Sequence, residues 1–229
     1  MNSQQLTVRY FRLAKPIFTY PKMYIFTREM KQAYHKTLNE NNHIYVWKLT
    51  STWSDFIVNP LLSQEELQAL EKIKSGKRKT EFLATRIALK ELFSNTLELK
   101  HHESGRPYIK EIKHISISHS KNYIAIAFGD ENIGIDIEKP QEKMLKLIPR
   151  ILSEKECEEF QKNPSTESAC KLWGSKESIL KCIGDKNINY RDDIKIETNE
   201  LSKAKYLDQD FDVYYEKIDG MILTYVIKV

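Results

Sequence analysis

The sequence predicts an α+β protein built from two pseudo-symmetric lobes with a site between them. Residues 43–49 and 133–138 alternate apolar and polar side chains, which is the period of a half-buried β-strand. Each stretch is followed by a capped helix and then by a long helix, and the second set follows the first at a displacement of 90 residues. Such a repeat indicates duplicated lobes, and two lobes usually hold a site between them.

The repeat can be followed residue by residue through the helices. The corresponding segments are Leu62-Ser63-x-x-Glu66 with Leu152-Ser153-x-x-Glu156, and Phe82-Leu83-x-x-Arg86 with Leu172-Trp173-x-x-Lys176. Each Ser-x-x-Glu is a capping box, whose two side chains satisfy backbone groups at a helix start. We therefore expect an N-terminal lobe over residues 43–130 and a C-terminal lobe with the metal site over residues 131–229. Residues 1–42 are predicted to be an extension of unknown role, unless the true start is Met30.

Two long helices follow the capped ones. The first is predicted over residues 77–93, with Arg86 and Lys90 among the charged residues on its exposed side. The second is predicted over residues 165–183. It ends at Gly184, since glycine readily adopts the left-handed conformation that closes a helix.

Strands accompany both helices. Residues 115–118 and 123–128 are predicted to be strands joined by a tight turn, and the acidic strand at residues 133–138 is expected to complete a three-stranded meander with them. The meander would bring Ser118-His119-Ser120 close to the acidic strand. Near the C-terminus, a hairpin is predicted to turn at Asp219-Gly220, a favoured two-residue turn.

Composition and charge bound the class of protein. Of the 229 residues, 41% are hydrophobic and 30% are charged, which is typical of a soluble globular protein. The net charge of +4 is uneven: residues 1–42 carry seven Lys and Arg against two Asp and Glu, and residues 71–114 carry eleven against six. A local basic excess favours an acidic partner or phosphates, although a charge run is usually a solvated face.

Neither membrane insertion nor disulfide bonding is indicated. The chain has no run of about 18 apolar residues, the length that a membrane-spanning helix needs. Cys157, Cys170 and Cys182 are odd in number and show no C-x-x-C spacing, which favours reduced, packed thiols in a cytoplasmic protein.

The acidic strand carries the first sign of chemistry. Its isoleucines fall on one face, and Asp136 and Glu138 fall on the other, roughly 7 Å apart. Neighbouring carboxylates repel unless a cation or a shared proton relieves the repulsion. Mg²⁺, which binds one or two carboxylates together with water and substrate phosphates, fits such a pair. The plainer alternative is the exposed face of an edge strand.

The second long helix adds a polar face. Trp173, Glu177 and Lys181 are four residues apart and therefore share one side of the helix. Glu177 beside the strand carboxylates would complete an oxygen set for Mg²⁺, and Lys181 one turn further would suit a phosphate. Alternatively, Glu177 and Lys181 are an ordinary helix-stabilising pair. The first lobe has Ile87 and Glu91 at the corresponding positions, so this polarity is particular to the second lobe.

Donors suited to phosphates occur elsewhere in the sequence. Arg78, Arg86 and Arg106 offer planar guanidinium groups that match phosphate oxygens. Ser118 and His119 can donate from a strand end, although His119 could equally be a satisfied structural histidine.

Together these residues resemble the paired signature of the 4′-phosphopantetheinyl transferases. The family pattern is G-[IV]-D-[IV]-E followed by W-x-x-K-E-[AS]-x-x-K, and residues 134–138 and 173–181 match it. Residues 104–107 resemble the family's G-[KR]-P turn, and residues 116–120 resemble its [NS]-x-S-H-S strand end, with Ser where the family often has Asn. The resemblance covers residues 43–229 and is to the two-lobed, monomeric, surfactin-synthetase-activating type.

The resemblance implies the phosphopantetheinyl transferase fold and an activity. The phosphopantetheine arm of coenzyme A would pass to a serine of an apo acyl or peptidyl carrier protein, a small acidic helical bundle, with release of adenosine 3′,5′-bisphosphate. The resemblance further implies that Asp136, Glu138 and Glu177 bind Mg²⁺. Glu177 or a metal-activated water is the implied base, and Lys181 is implied to stabilise the leaving bisphosphate. The residues implied to hold coenzyme A are Arg78, Arg86, Arg106, Ser118 and His119. The enzyme is expected to be a cytoplasmic monomer that binds neither nucleic acid nor membrane.

Two alternatives stay open at this point. A Mg²⁺-dependent phosphohydrolase or nuclease would use the same carboxylates with water as the nucleophile. A non-catalytic nucleic-acid-binding module would use the basic residues of 1–42 and 71–114. Its binding would depend steeply on salt and would be indifferent to Asp136→Ala.

Overall fold

The first half of the chain folds around a four-stranded antiparallel sheet. The computed structural model describes residues 29–93, 97–185, 187–197 and 201–229. In chain order the first elements are β1 (Met30–Thr37), β2 (His43–Leu49), α1 (Trp53–Phe56), α2 (Gln64–Glu71), α3 (Gly76–Phe93), β3 (Lys100–His101), β4 (Pro107–Tyr108), β5 (His114–Ser120) and β6 (Tyr123–Gly129). The sheet has the strand order β1, β2, β6, β5, and β3 pairs with β4 apart from it. Leu83 and Ile87 of α3 are buried in one cluster with Ile124 and Phe128 of β6.

The second half of the chain forms a five-stranded sheet of its own. Its elements are β7 (Ile133–Glu138), α4 (Glu142–Ile151), α5 (Glu154–Gln161), α6 (Thr166–Ile183), β8 (Ile194–Ile196), β9 (Lys203–Tyr206), β10 (Gln209–Ile218) and β11 (Met221–Lys228). The strand order is β7, β11, β10, β9, β8. Leu172 and Ile179 of α6 are buried against this sheet in a second cluster with Phe211 and Val226.

The two halves are related by the repeat that the sequence predicts. α2 and α5 have equal length and are displaced by 90 residues, and the same holds for α3 and α6. In each half, one strand leads into the helices and a later strand returns to pair with it, β6 with β2 and β11 with β7. The predicted α+β fold with two pseudo-symmetric lobes is therefore confirmed.

Each lobe also uses its capping-box glutamate a second time, to hold the long helix. In the first lobe, Glu66 accepts a hydrogen bond from Lys90 at 2.5 Å and lies 3.8 Å from the guanidinium of Arg86. In the second lobe, Glu156 accepts one from Lys176 at 3.3 Å. The prediction that Arg86 and Lys90 lie on an exposed side of α3 is wrong. Their side chains are only 15% and 9% exposed, because both pair with Glu66 of the neighbouring helix α2.

The acidic strand β7 does not belong to a meander with β5 and β6, and that prediction is also wrong. It pairs with β11 in the second sheet, where Asp136 lies opposite Thr224. The alternative of an exposed face on this strand is excluded for Asp136, which is only 5% exposed. A methyl group at Gly134 would lie 1.8 Å from Ser178 O, so the missing side chain is what lets α6 lie directly on β7.

The N-terminal sheet begins earlier than the repeat suggested. β1, at residues 30–37, pairs with β2, and Met30 is buried in the first core cluster. Residues 30–37, which the sequence assigns to the extension, thus belong to this sheet, and residues 38–42 connect them to β2. The rest of the predicted extension, residues 1–28, lies outside the described residues.

The two sheets are joined by a third apolar cluster. Ile44 of β2 and Ala125 of β6 are buried there with Ile135 of β7 and Leu223 of β11. Because this cluster couples one lobe to the other, side chains at the junction of β5 and β7 have fixed relative positions.

Cys157, Cys170 and Cys182 are free thiols. Across the parts of the chain that the structure describes, no helix combines the length and the apolar character needed to cross a membrane.

Candidate functional site

The candidate site lies where β5 of the first lobe runs beside β7 of the second. Serines that are two residues apart on β5 face β7, as the strand period requires. Ser116 Oγ accepts a hydrogen bond from Ile135 N at 3.1 Å, and Ser118 Oγ accepts one from Ile137 N at 3.2 Å. These hydroxyls satisfy amides on the edge of β7 that is not paired with β11. The serines therefore join the lobes at the edge that carries the carboxylates.

The same row of serines orients both strand carboxylates. Ser118 Oγ donates to Asp136 Oδ1 at 2.8 Å, and Ser120 Oγ donates to Glu138 Oε2 at 2.7 Å. Asp136 Oδ1 also accepts from Lys181 Nζ at 2.6 Å. Asp136 Oδ2 is buried and finds no hydrogen-bond partner among the described residues. One oxygen of Asp136 is thus held in place while the other is left for a ligand.

Glycines set how closely α6 approaches this edge. Gly134 of β7 faces Ser178 O, and Gly174 of α6 faces Thr224 of β11, where an added methyl group would lie 2.5 Å from the Thr224 hydroxyl. Both contacts exclude a larger side chain. α6 consequently lies on β7 and β11, so that Lys181 contacts Asp136 and Glu177 is close enough to interact electrostatically with Asp136 and Glu138.

Glu177 is the third carboxylate of the site. Tyr190 donates a hydrogen bond to Glu177 Oε1 at 2.6 Å. Burial raises the pKa of Glu177, and the charges of Asp136 and Glu138 raise it further, while Tyr190 and Lys181 act in the opposite direction. The predicted residues of β7 and α6 therefore share one electrostatic environment.

A cavity of about 730 Å³ opens in the first lobe, next to this edge. The charged and imidazole side chains among its described lining residues are one carboxylate, Glu81, and the side chains of Lys72, Lys74, Arg78, Arg86, His101 and His119. Burial lowers the pKa of Arg86 to about 10, which still leaves the guanidinium charged at neutral pH. The cavity is therefore suited to an anionic ligand.

His119 lines the cavity as a neutral imidazole. Thr85 Oγ1 donates to Glu81 O at 2.7 Å and lies 2.8 Å from His119 Nε2. Because a hydroxyl has one hydrogen, Nε2 must be the donor to Thr85, and Nδ1 is then the acceptor nitrogen. Burial, together with the charges of Lys181 and Lys77, lowers the pKa of His119 to about 4. In this protonation state His119 offers an acceptor to a ligand and not the donor that the sequence suggested.

The five residues predicted to hold coenzyme A separate into two groups. Arg78, Arg86 and His119 line the cavity. Arg106 instead donates to Asn132 Oδ1 at 3.1 Å and packs against Gly184 at the end of α6. Ser118 is buried and directs its hydroxyl to Asp136.

Lys176 supports the site from inside the second lobe. It has no exposed side-chain surface, and its ammonium donates to Tyr190 O at 2.7 Å, to Ile194 O at 2.8 Å and to Glu156. Burial lowers its pKa to about 8 and Glu156 opposes that shift. Lys176 thus anchors the connection between α6 and β8.

The sequence patterns did not identify several residues of the site. Ser116 and Ser120 follow the period of β5 beside Ser118, so the pattern contained them. Lys72 and Lys74 belong to the basic stretch 71–114, which indicated an anionic ligand without selecting residues. No sequence pattern singles out Tyr190, because it lies in a connection that has no helical or strand periodicity.

The donor set fits a divalent cation such as Mg²⁺. Within the described ranges, no three or more His, Cys, Asp or Glu side chains are already arranged to hold a metal ion. Mg²⁺, however, needs only one or two carboxylates together with substrate phosphates. Asp136 Oδ2 is buried without a partner, and Glu138 and Glu177 lie near enough for their charges to interact. A hard cation would satisfy that oxygen and relieve the repulsion.

Residues 132–223 match the model of the 4′-phosphopantetheinyl transferase superfamily. The matched segment contains β7 and α6, and hence all three carboxylates and Lys181.

Three curated relatives are similar to parts of the chain. A holo-[acyl-carrier-protein] synthase of Lactococcus lactis subsp. cremoris is 39% identical over 95 residues, which are 34% of this chain and 79% of the relative. The 4′-phosphopantetheinyl transferase Sfp of Bacillus subtilis is 36% identical over 87 residues, which are 36% of this chain and 39% of the relative. A putative 4′-phosphopantetheinyl transferase of Synechocystis is 27% identical over 180 residues, or 71% and 73%. The part of the Bacillus protein that this chain matches is therefore about two fifths of that protein's length.

Proposed function

Since the chain belongs to the 4′-phosphopantetheinyl transferase superfamily, we propose that it transfers the 4′-phosphopantetheine arm of coenzyme A to a serine of an apo acyl or peptidyl carrier protein. Adenosine 3′,5′-bisphosphate is the other product. One observation carries the proposal. Ser118 and His119 are neighbours on β5, yet Ser118 contacts Asp136 in the carboxylate site and His119 lines the cationic cavity. Coenzyme A carries a 3′-phosphate and a diphosphate, and it needs two adjoining sites of these kinds.

In this proposal the cavity binds the nucleotide end of coenzyme A. Arg78 and Arg86 pair with phosphate oxygens, and the lysines of the rim add charge. His119 accepts a hydrogen bond through Nδ1, while Arg106 and Ser118 act at the junction of the lobes, where Ser118 orients Asp136. The diphosphate then lies towards β7 and α6.

The proposed chemistry is an in-line displacement at phosphorus. The carrier serine oxygen attacks the phosphorus that bears the pantetheine arm, and the bond from that phosphorus to the bridging oxygen breaks. The serine proton passes to a base, for which Glu177 is the candidate because its carboxylate is buried and oriented by Tyr190. When bound, Mg²⁺ would neutralise the diphosphate oxygens, and the residues to hold it are Asp136, Glu138 and Glu177.

Lys181 is proposed to stabilise the leaving bisphosphate. Its ammonium contacts Asp136 Oδ1 at 2.6 Å and Ser118 Oγ at 3.0 Å. An ammonium has three donor hydrogens, so Lys181 can add a phosphate oxygen to these two partners. A cation held at that point opposes the charge that develops as the diphosphate bond breaks.

The proposed protein partner is an acidic helical carrier. The rim of the cavity is basic, with Lys72, Lys74 and Arg78 contributing to it. A basic surface beside the site attracts an acidic partner and speeds encounter. One chain supplies both β5 and β7, so we further propose that a monomer suffices and that the enzyme works in the cytoplasm, where carriers of biosynthetic pathways are found.

Incubation with coenzyme A, Mg²⁺ and a panel of apo-carrier proteins tests the proposal. Mass spectrometry should find one phosphopantetheine arm on the carrier serine and one equivalent of adenosine 3′,5′-bisphosphate in solution. Coenzyme A cleavage without modification of any carrier would instead indicate a phosphohydrolase.

A further inference from the structure

α6 holds Tyr190 through both its backbone carbonyl and its side-chain hydroxyl. Tyr190 lies in the connection between α6 and β8, its hydroxyl donates to Glu177 Oε1 at 2.6 Å, and its backbone carbonyl accepts from Lys176 Nζ at 2.7 Å. Lys176 and Glu177 are consecutive residues. One therefore fixes the backbone of Tyr190, and the other receives its hydroxyl group.

The ring of Tyr190 is also constrained. It stacks on Trp173, with ring centroids 5.9 Å apart and an interplanar angle of 5°. Trp173 lies four residues before Glu177, on the same side of α6. Three points of attachment to one helix leave the phenol oxygen little freedom relative to the Glu177 carboxylate.

We propose that Tyr190 is a positioning residue that sets the orientation of the Glu177 carboxylate towards the cation site of β7. A carboxylate rotates about its last carbon–carbon bond, and a hydrogen bond from a rigid donor to Oε1 fixes the place of Oε2. This inference rests on the proposed function, in which Glu177 binds the metal. Groups that orient a metal-binding side chain typically contribute about 10–100-fold to metal affinity or activity.

The hydroxyl of Tyr190 can be removed without removing the packing. Tyr190→Phe keeps the ring on Trp173 and the backbone contact with Lys176, and it deletes only the hydrogen bond to Glu177. Tyr214→Phe is a matched control, because Tyr214 is an exposed tyrosine of β10 whose hydroxyl lies 3.4 Å from Asp212.

The experiment measures metal binding directly and activity separately. Mn²⁺ binding in the presence of coenzyme A is followed by electron paramagnetic resonance, and KM values for Mg²⁺ and for coenzyme A are determined with an apo-carrier. We expect Tyr190→Phe to weaken Mn²⁺ binding about tenfold or more and to raise the KM for Mg²⁺ by a similar factor, with the KM for coenzyme A nearly unchanged. Tyr214→Phe should match the wild type.

Three outcomes would count against the proposal. Unchanged Mn²⁺ binding in Tyr190→Phe would overturn it, and so would an equal rise in both KM values accompanied by a lower unfolding midpoint, which indicates a structural role. Absence of transfer by the wild type defeats the proposed function itself. Transfer by the wild type together with unchanged Mn²⁺ binding in Tyr190→Phe defeats only the positioning role.

Discussion

Lys181 Nζ lies 2.6 Å from Asp136 Oδ1, and this ion pair joins α6 to β7 inside the proposed site. The Asp136 side chain is 7% exposed and that of Lys181 is 26% exposed, so the pair is largely shielded from water. At the corresponding positions of the first lobe stand Val46 and Glu91, which cannot form such a pair. At these corresponding positions, the polar junction is therefore particular to the second lobe.

The carboxylates of the junction should be essential for activity and dispensable for folding. Asp136→Asn and Glu177→Gln keep the side-chain shapes, and we expect each to lower kcat/KM for carrier modification by about a hundredfold or more. Lys181→Ala should slow transfer to a comparable degree. Asp208→Asn, in an exposed turn, is the control, and circular dichroism checks the fold. Near-wild-type turnover of Asp136→Asn would refute the assignment of this carboxylate to the site.

The cavity should hold the nucleotide end of coenzyme A through its arginines. Arg78 is exposed and lines the cavity, so Arg78→Met removes charge without opening the core. A charge-assisted hydrogen bond is worth about 1.5–3 kcal/mol, so the KM for coenzyme A should rise roughly tenfold or more while kcat changes little. Lys155→Met makes the same charge change on an exposed position of α5 and should leave the KM unaltered. Equal effects of both variants would mean that only the overall charge matters.

His119 should make stability depend on pH. The folded protein lowers its pKa to about 4, whereas the unfolded chain binds a proton near pH 6.5. Between these values the unfolded state holds the extra proton, so stability is retained above pH 6.5 and falls as the pH drops, by up to about 1.4 kcal/mol per pH unit. Urea unfolding at pH 7 and pH 5 should show a smaller loss for His119→Gln than for the wild type. His102→Gln, at an exposed site, should behave as the wild type; a wild-type loss in His119→Gln would contradict the neutral imidazole.

Gly134 should be needed for the contact between α6 and β7. Gly134→Ala places a methyl group 1.8 Å from Ser178 O, so the helix must shift, at a cost of about 1–3 kcal/mol, and the site residues shift with it. Gly76→Ala is the control, because its methyl group would meet Trp53 at an ordinary 3.5 Å. Chemical unfolding and transfer assays on both variants check this. A Gly134→Ala enzyme as stable and active as Gly76→Ala would show that the helix does not depend on that close approach.

Features that depend on a few neighbouring residues were predictable from the sequence. Ser63 and Ser153 cap their helices as expected, each with a glutamate three residues on. Gly184 closes α6 with φ of 78°, and the hairpin turns at Asp219-Gly220 with positive φ at both residues. In each case the physical cause lies within one turn of the chain.

Features that depend on distant partners were not predictable. Alternation identifies β7 as a strand, but it does not say whether β6 or β11 lies beside it, and the structure has β11. β1 is an edge strand with mixed exposure, so its sequence shows little alternation of apolar and polar residues. Among the site residues, Asp136 and Glu177 stand in a recognisable pattern. Tyr190 contacts Glu177 from a connection whose backbone is held by Lys176, so the contact depends on the tertiary structure.

The transfer reaction itself can be followed by mass spectrometry of apo-carrier proteins that have been incubated with this protein, coenzyme A and Mg²⁺. We expect one added phosphopantetheine arm on the carrier serine with the wild type and, over the same incubation time, a largely unmodified carrier with Asp136→Asn. Carriers that stay unmodified by the folded wild-type protein, or that are modified equally by both proteins, would contradict this expectation.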